Sequence, residues 1–186
     1  KPENLQHTGA FKLRGAYYKI SQLTPEERAK GVIACSAGNH AQGVALAATH
    51  NGIKSLICLP AGAPISKIEA TKRLGAEVCL VPGVYDDAYQ KAIELQKEHG
   101  YTFIHPFDDL KVIAGQGTIA LEILEEMPDV EAVIVPIGGG GLIAGMAFTL
   151  KQLKPDVKVY GVQAEGAPSM YESIKDGKRE HLNSVS

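Results

Sequence analysis

The segment AVIVPIGGGGL, residues 132–142, places four consecutive glycines between an apolar run typical of a buried strand and a stretch with helical periodicity. Glycine has no Cβ, so its backbone can adopt positive φ and approach an anion closely. The unpaired N–H groups and the dipole of the following helix favour negative charge at the same place. This junction predicts a binding site for a phosphorylated ligand, formed by Gly138, Gly139, Gly140 and Gly141.

The kind of phosphorylated ligand stays open at this point. The string GGGLIA, residues 139–144, also fits the G-x-G-x-x-A form of the dinucleotide fingerprint, and Glu165 ends the next predicted strand where a ribose-binding acid would lie. A nucleoside-triphosphate loop is excluded because no Gly-Lys-Ser/Thr follows. Glycines at such a turn can also serve close packing of helix on sheet, but one or two would suffice.

Composition favours a small-molecule partner. The 186 residues are 45% apolar and 22% charged, and 19 basic against 21 acidic side chains give a net charge of -2. Without a basic stripe or any Trp, nothing suggests binding to nucleic acid or to an anionic membrane. No apolar run approaches the roughly 20 residues of a membrane span. We expect a cytoplasmic protein whose Cys35, Cys58 and Cys79 are reduced core residues.

Short β-branched runs alternate with longer helical ones along the chain, and this order predicts an α/β fold of mostly parallel, twisted sheets with helices on both faces. The predicted strands are Val32–Cys35, Ser55–Leu59, Glu77–Val81, Thr102–His105, Ala132–Pro136 and Val157–Ala164. The predicted helices are Gly43–Thr49, Ile65–Leu74, Tyr85–Glu98, Val112–Met127 and Leu142–Leu153, with a further one starting near Lys12.

Two strands run straight into glycine-containing turns, one after Cys35 and one after Pro136. Ligands in open α/β sheets bind at the carboxyl ends of strands, so two such turns suit two lobes that face one cleft. We predict a larger, cofactor-binding lobe made of residues 1–30 and 116–186, and a smaller, substrate-side lobe of residues 31–115. Glycines near residues 31 and 115–117 are the only marks of this division.

Lys12 is the candidate nucleophile. It lies in the first turn of the helix predicted from the string TGAFKLRG, residues 8–15, where the positive end of the helix disfavours a cation. If Phe11 also shields it, its pKa falls and a free amine becomes available to form a Schiff base. A solvated lysine at a helix start is the commoner case, and only the phosphate-binding turn elsewhere in the chain favours the reactive alternative.

The turn SAGNHAQG, residues 36–43, offers hydroxyl and amide groups at a second exposed helix start. Ser36 and Asn39 suit a carboxylate or a phenolic oxygen, or else they only cap the helix. His40 is equally compatible with a structural role, and no acid–base role is predicted for it. An amine, a phosphate-binding turn and an anion-binding turn together match the aldehyde, phosphate and ring hydroxyl of pyridoxal 5'-phosphate.

Five strings support a family resemblance that covers essentially the whole chain. They are KPENLQ (1–6), TGAFKLRG (8–15), CSAGNHAQG (35–43), VIAGQGT (112–118) and VPIGGGGLIAG (135–145). In this order they resemble the fold-type II pyridoxal-phosphate enzymes, which share the fold of the tryptophan synthase β subunit. Within that group the chain is most similar to the threonine dehydratases, or threonine ammonia-lyases, especially the short catabolic form.

The resemblance implies a role for each matching residue. Lys12 would be the catalytic residue, forming the Schiff base and later removing the α-proton of the substrate. Phe11 would pack at the cofactor ring, Asn39 would contact its ring oxygen, and Gly138 to Leu142 would hold its phosphate. The substrate carboxylate would lie against Ser36, Ala37, Gly38, Asn39 and His40.

The implied reaction converts L-threonine, and also L-serine, to 2-oxobutanoate or pyruvate and ammonia through an aminoacrylate-type enamine. This lyase would act in threonine catabolism or isoleucine biosynthesis, as a homodimer or homotetramer. Three alternatives stay open: a serine racemase/dehydratase, a dinucleotide-binding oxidoreductase, and a regulatory module that binds a phosphorylated effector.

Departures from the family pattern refine these expectations. Ala37 stands where the racemases carry a second serine as base, which favours dehydration. Gln163 and Ser169 replace the acidic ligands of the racemases' divalent-metal site, so we predict no metal. The family's partner for the pyridine nitrogen lies beyond Ser186 and its lead-in lies before Lys1. We therefore expect a partial chain that, in isolation, binds the cofactor poorly or is inactive.

Overall fold

The computed structural model describes residues 1–180, in which strands and helices alternate as predicted. The elements in chain order are a 3-10 turn (Glu3–Leu5), α1 (Lys12–Ser21), α2 (Pro25–Lys30), β1 (Val32–Cys35), α3 (Asn39–His50), β2 (Ser55–Pro60), α4 (Ile65–Arg73), β3 (Glu77–Val81), α5 (Tyr85–His99), β4 (Thr102–Phe103), α6 (Leu110–Glu126), β5 (Ala132–Pro136), α7 (Gly141–Leu153), β6 (Lys158–Val162) and α8 (Ser169–Asp176). The α/β class of the prediction is confirmed.

The chain divides into two compact units, Lys1–Gln116 and Gly117–Ser186. The first contains a four-stranded parallel sheet in the order β3-β2-β1-β4, and the second contains the parallel pair β5-β6. The two-lobe division predicted from the sequence assigned residues 1–30 to the lobe of residues 116–186. That assignment stays a prediction, and residues 181–186 of the lobe lie outside the described part.

Helices bury both faces of the four-stranded sheet, which explains why its strands read as continuous apolar runs rather than alternating ones. One face packs against α1 and α3 through Val32, Ala34, Ile57 and Leu59. The other face packs against α5 through Ile33, Cys35 and Cys58. All four residues of β1 are buried as a result.

The three cysteines form a row across this sheet. Cys35 lies opposite Cys58, and Cys58 lies opposite Cys79, in the parallel register of β1, β2 and β3. All three are free thiols. Burial raises the pKa of Cys58 to about 12 and that of Cys35 to about 11, so neither forms a thiolate at neutral pH. Cys35 and Cys58 are core residues, as predicted, whereas Cys79 is only partly buried against them.

The second unit has a thinner core. Val133 and Val135 of β5 are buried, but Ile134 on the opposite face of the strand is 73% exposed. On β6, Tyr160 and Val162 are each 52% exposed. Within residues 1–180 no helix is long and apolar enough to cross a membrane.

Candidate active site

The amine of Lys12 lies in a partly buried pocket of the first unit. Its Nζ donates a hydrogen bond of 2.6 Å to the carbonyl oxygen of Pro106, and it lies 5.3 Å from the centre of the Phe11 ring and 5.9 Å from that of Phe107. Burial lowers the pKa of Lys12 below its usual range. The sequence predicted a lowered pKa from burial behind Phe11 together with the helix end, and burial is the cause that the structure supports.

Close contacts of helix backbones fix the helix that carries this lysine. A Cβ on Gly43 of α3 would lie 3.1 Å from the Leu13 nitrogen and 3.2 Å from the Lys12 carbonyl carbon. A Cβ on Gly115 of α6 would lie 2.6 Å from both the Arg14 oxygen and the Gly15 Cα. The start of α1 is therefore held between α3 and α6, and side chains larger than hydrogen at residues 43 and 115 would disturb it.

A buried amide reinforces the crossing of α1 and α6. Oε1 of Gln116, which is 1% exposed, accepts a hydrogen bond of 3.1 Å from the Gly15 nitrogen. Two partly buried ion pairs also hold α1: Arg14 pairs with Glu3 at 2.8 Å, and Lys19 pairs with Asp109 at 2.7 Å. These contacts give Lys12 a fixed backbone from which to present its amine.

The predicted anion-binding turn follows β1 at the start of α3. Ser36 Oγ accepts a hydrogen bond of 3.1 Å from the Gly38 nitrogen, and Gly38 precedes the first helical residue, Asn39. No side chain of the described residues caps α3, so its first N–H groups remain available to an anion. Ala37 and Gly38 are half-buried and Asn39 is exposed, so the turn is accessible.

His40 differs from the other residues of this turn because its side chain is buried, with 3% exposure. Its Nε2 donates a hydrogen bond of 2.7 Å to the Ile104 carbonyl oxygen, which leaves Nδ1 without a partner among the described residues. Desolvation lowers its pKa to about 4, so the ring is neutral at physiological pH. His40 has the structural role named above as the alternative, and its imidazole links α3 to the end of β4.

The four glycines lie in the second unit, between β5 and α7. Gly138 and Gly139 are exposed, Gly140 has a φ of +89°, and α7 begins at the buried Gly141, with Leu142 half-buried in its first turn. A residue with a side chain would be strained at this φ. Within residues 1–180 no side chain caps α7, and a Cβ on Gly138 would meet no atom within 4 Å. The turn has the space and the free N–H groups that a phosphate requires.

Gln163 connects this turn to α8. Its Oε1 accepts a hydrogen bond of 2.9 Å from the Tyr171 nitrogen, and its Nε2 donates one of 3.5 Å to the carbonyl oxygen of Ile137, next to the glycines. Groups of His, Cys, Asp or Glu able to hold a metal ion are absent from the described residues. Glu165 lines an apolar cavity of about 610 Å³ beside the turn, together with Ile137 and Ile143.

Sequence reasoning missed the loop at residues 105–108, which supplies the Lys12 acceptor and the Phe107 ring. Its signal was the string HPFDD, residues 105–109, which begins at the last residue of the predicted strand Thr102–His105; Pro ends the ladder and Asp starts a helix. The structure brings together Lys12 and Phe11, and it places the turn of residues 36–40 in the same unit. Residues 138–142 belong to the second unit.

The chemistry of these groups fits pyridoxal 5'-phosphate. A desolvated amine beside aromatic rings suits its aldehyde and ring, and an uncapped helix start behind glycines suits its phosphate. The lowered pKa of Lys12 increases the fraction of amine that is free to react.

Comparison with known proteins supports the same cofactor. The family described as pyridoxal-phosphate dependent enzyme matches residues 1–186. An L-threonine ammonia-lyase of Thermotoga maritima is 56% identical over 182 residues, which are 98% of this chain and 45% of that protein. The catabolic L-threonine dehydratase TdcB of Escherichia coli K12 is 52% identical over 96% of this chain and 54% of its own length.

A solved structure agrees with these sequence matches. The processed form of threonine deaminase isoform 2 from Solanum lycopersicum superposes with a TM-score of 0.98 at 47% identity, over 100% of this chain and 51% of that chain. The resemblance stated from the five sequence strings is thus confirmed. The chain spans about half the length of the relatives that it matches.

Proposed function

The chain belongs to the family of pyridoxal-phosphate dependent enzymes, and we propose that the complete protein is an L-threonine ammonia-lyase. It converts L-threonine, and L-serine as a second substrate, to 2-oxobutanoate or pyruvate and ammonia. The observation that carries this proposal is the partly buried Lys12 amine, whose pKa is lowered and whose only hydrogen-bond acceptor among the described residues is the Pro106 carbonyl. Such an amine is free to attach a carbonyl compound and to exchange protons.

Three parts of the chain bind the cofactor and the substrate. The N–H groups at the start of α7, behind Gly138 to Gly141, would hold the cofactor phosphate, and Phe11 would pack at its ring. The N–H groups at the start of α3, with Ser36 and Asn39, hold the substrate carboxylate. When bound, the cofactor supplies an electron-withdrawing ring that stabilises negative charge on the substrate α-carbon.

Proton transfer falls to Lys12. Its Nζ takes the proton from the substrate α-carbon, and the β-hydroxyl gains a proton and departs as water. Water then hydrolyses the released enamine to the 2-oxo acid and ammonia. Phe11 and Phe107 flank the amine, and burial lowers its pKa, which increases the neutral fraction that can accept this proton. His40 does not share the work, because its ring is buried and bonded to the Ile104 carbonyl.

Ala37 favours this lyase over a serine racemase. Racemisation needs a second base to return a proton from the opposite face, and an alanine methyl group cannot supply one. The dinucleotide alternative loses its support because the family match concerns pyridoxal phosphate and Glu165 lines an apolar cavity.

We also propose that the protein is cytoplasmic and forms a homodimer or homotetramer. Sedimentation of the full-length protein would test the oligomeric state.

The experiment uses the full-length protein and two lysine variants. Wild type is incubated with L-threonine or L-serine, 2-oxo acid is measured, and borohydride-reduced protein is digested to locate any pyridoxyl group. We expect product and a modified Lys12, with both lost in Lys12→Ala and retained in Lys67→Ala, since Lys67 is exposed on α4. Cofactor-loaded wild type that forms no 2-oxo acid would overturn the proposal, as would a modified lysine other than Lys12.

A further inference from the structure

The 105–108 loop, His105–Asp108, connects β4 to α6 and is fixed at both ends. Before it, the Ile104 nitrogen donates a hydrogen bond of 2.9 Å to the Ile33 oxygen, and the Ile104 oxygen accepts from His40 at 2.7 Å. After it, Oδ1 of Asp109 accepts from the backbone nitrogens of Lys111 at 2.8 Å and Val112 at 3.1 Å, so that it caps α6. The loop therefore has defined start and end points, and only its internal course is left to be set.

The His105 side chain fixes the path of the loop backbone. Its Nδ1 accepts hydrogen bonds from the Asp108 nitrogen at 2.7 Å and from the Phe107 nitrogen at 3.3 Å. Its ring also meets the Phe107 ring edge-on, with the ring centres 4.7 Å apart and the planes at 88°. The side chain thus folds the loop back on itself, in the way that an Asx turn does with an aspartate or asparagine.

The path of the 105–108 loop determines which groups surround the Lys12 amine. In the chain, Pro106 lies between His105 and the Phe107 and Asp108 N–H groups that bond to it. The Pro106 carbonyl oxygen accepts the hydrogen bond of 2.6 Å from the Lys12 Nζ. The Phe107 ring, held edge-on by His105, stands 5.9 Å from the same amine. The acceptor and one apolar wall of the Lys12 pocket therefore both depend on one imidazole.

We propose that His105 is a positioning residue for Lys12, because its Nδ1 holds the 105–108 loop in the course that directs the Pro106 carbonyl and the Phe107 ring at the lysine amine. The inference rests on the proposed function for its catalytic meaning, but not for its geometry. The acceptor role requires an unprotonated Nδ1, so the loop is held by the neutral ring only.

The charges around His105 act in both directions. Asp108 and Asp109 favour the protonated ring, whereas Lys12 opposes it, and partial burial is the largest influence. Together, burial and these charges lower the pKa of His105 from its ordinary value. At neutral pH the ring is therefore uncharged, as its two accepted hydrogen bonds require.

Two variants of the full-length enzyme test the proposal. His105→Ala removes the acceptor, whereas His105→Asn keeps an oxygen close to the place of Nδ1 that can accept the same N–H groups. Lys12 is probed without cofactor by competitive acetylation with acetic anhydride across a pH range, and the exposed Lys67 serves as reference in the same digest.

We expect the acetylation midpoint of Lys12 to rise toward that of Lys67 in His105→Ala, because the amine becomes solvated, and to stay near wild type in His105→Asn. In cofactor-loaded enzyme, kcat should fall about tenfold in the alanine variant with little change in KM, and recover in the asparagine variant. Equal behaviour of the two variants, or an unchanged Lys12 midpoint in His105→Ala, would refute the positioning role.

A spectroscopic measurement on wild type decides the matter even if the alanine variant does not fold. Imidazole ¹⁵N spectra, with His105 assigned by its loss in His105→Asn, should show a non-protonated Nδ1 and a pKa below the ordinary histidine value. A protonated Nδ1 at neutral pH would overturn the inference. Because acetylation and ¹⁵N spectra need no substrate turnover, failure of the lyase assay alone would count against the proposed function and not against this role of His105.

Discussion

At the residue scale, Lys12 differs from the surface lysines by the partner of its amine. Lys72 and Lys91 pair with Glu69 and Glu94 on exposed helix surfaces, where such pairs contribute little to stability. Lys12 instead donates to a neutral carbonyl in a partly buried pocket, where no carboxylate of residues 1–180 holds it in the charged form. Burial without such a partner lowers the pKa of Lys12 and raises the fraction of free amine at a given pH.

His40 predicts a pH dependence of stability. Its folded-state pKa of about 4 lies below the unfolded value, so its contribution is complete above pH about 6.5 and is lost as pH falls through about 4. The full difference corresponds to about 3 kcal/mol of unfolding free energy. We expect denaturant titrations of the full-length protein to show this decline between those pH values.

The matched variant is His40→Gln, whose amide can still donate to the Ile104 oxygen but does not titrate. The unfolding free energy of this variant should depend less on pH than that of wild type over the same interval. Parallel curves for the two proteins would show that protonation of His40 is not linked to unfolding.

Gly138 predicts a separation of stability from ligand affinity. A Cβ at this residue meets no atom within 4 Å among the described residues, so Gly138→Ala should change the unfolding free energy by no more than about 0.5 kcal/mol. If a phosphate fills that space, titration of cofactor-free protein with pyridoxal phosphate should show at least about tenfold weaker binding. Gly62→Ala, at another open position, is the control, and equal affinities in both variants would contradict a phosphate at Gly138.

The sequence predicted Lys12 as the reactive residue and the lowering of its pKa, because helix starts and aromatic neighbours are local features. It could not predict the Pro106 acceptor, which is separated from Lys12 by 94 positions and meets it only in the folded chain. The burial of His40 could not be predicted from the sequence either, because its hydrogen-bond partner Ile104 lies 64 positions away.

At the scale of elements, the crossing of α1 and α6 predicts the effect of a small substitution. Gly115→Ala would place a methyl group 2.6 Å from the Arg14 oxygen and the Gly15 Cα, which are backbone atoms held by Gln116. The helices must separate, so we expect a loss of about 1–3 kcal/mol in unfolding free energy despite the better helix propensity of alanine. Denaturant titration measures this loss, and Gly62→Ala serves as the reference. A stabilised Gly115→Ala protein would show that the crossing adjusts freely.

Strands and long helices were predicted well from periodicity, and the short elements were not. β4 ends at Phe103 rather than at His105, because the chain turns away at Pro106 to form the 105–108 loop. The helix α2 was missed although Thr24 and Glu27 form a capping box with Pro25 between them. The helix α8 was also missed, and none of its residues is buried.

At the scale of the whole molecule, the two units differ in how completely their sheets are covered. β1 is buried along its entire length, whereas β6 exposes most of its residues. Parallel strands are normally covered on both faces, and two strands alone make a marginal sheet. The sequence predicted the parallel strands of both units, but it placed the division of the chain only by glycines, which do not report long-range contacts.

This difference predicts unequal protection from hydrogen exchange. In a polypeptide of residues 1–186, amides of β1 and β2 should exchange more slowly than those of β5 and β6, because local opening costs less where fewer side chains are buried. Mass spectrometry of peptic fragments measures both sets in one sample, and the full-length protein gives the comparison. Equal protection in the shorter polypeptide would show that the exposed face of the β5–β6 pair does not weaken it.

The oxygen that accepts the hydrogen bond from Lys12 is a main-chain carbonyl oxygen, so any amino acid at position 106 would supply the same acceptor. Genetic change at that position cannot delete the contact and can only redirect it by altering the path of the peptide. A test of its role therefore needs chemical synthesis. An ester in place of the peptide bond after residue 106 would weaken the carbonyl as an acceptor, and it would also remove the hydrogen bond of 3.3 Å from the Phe107 nitrogen to His105.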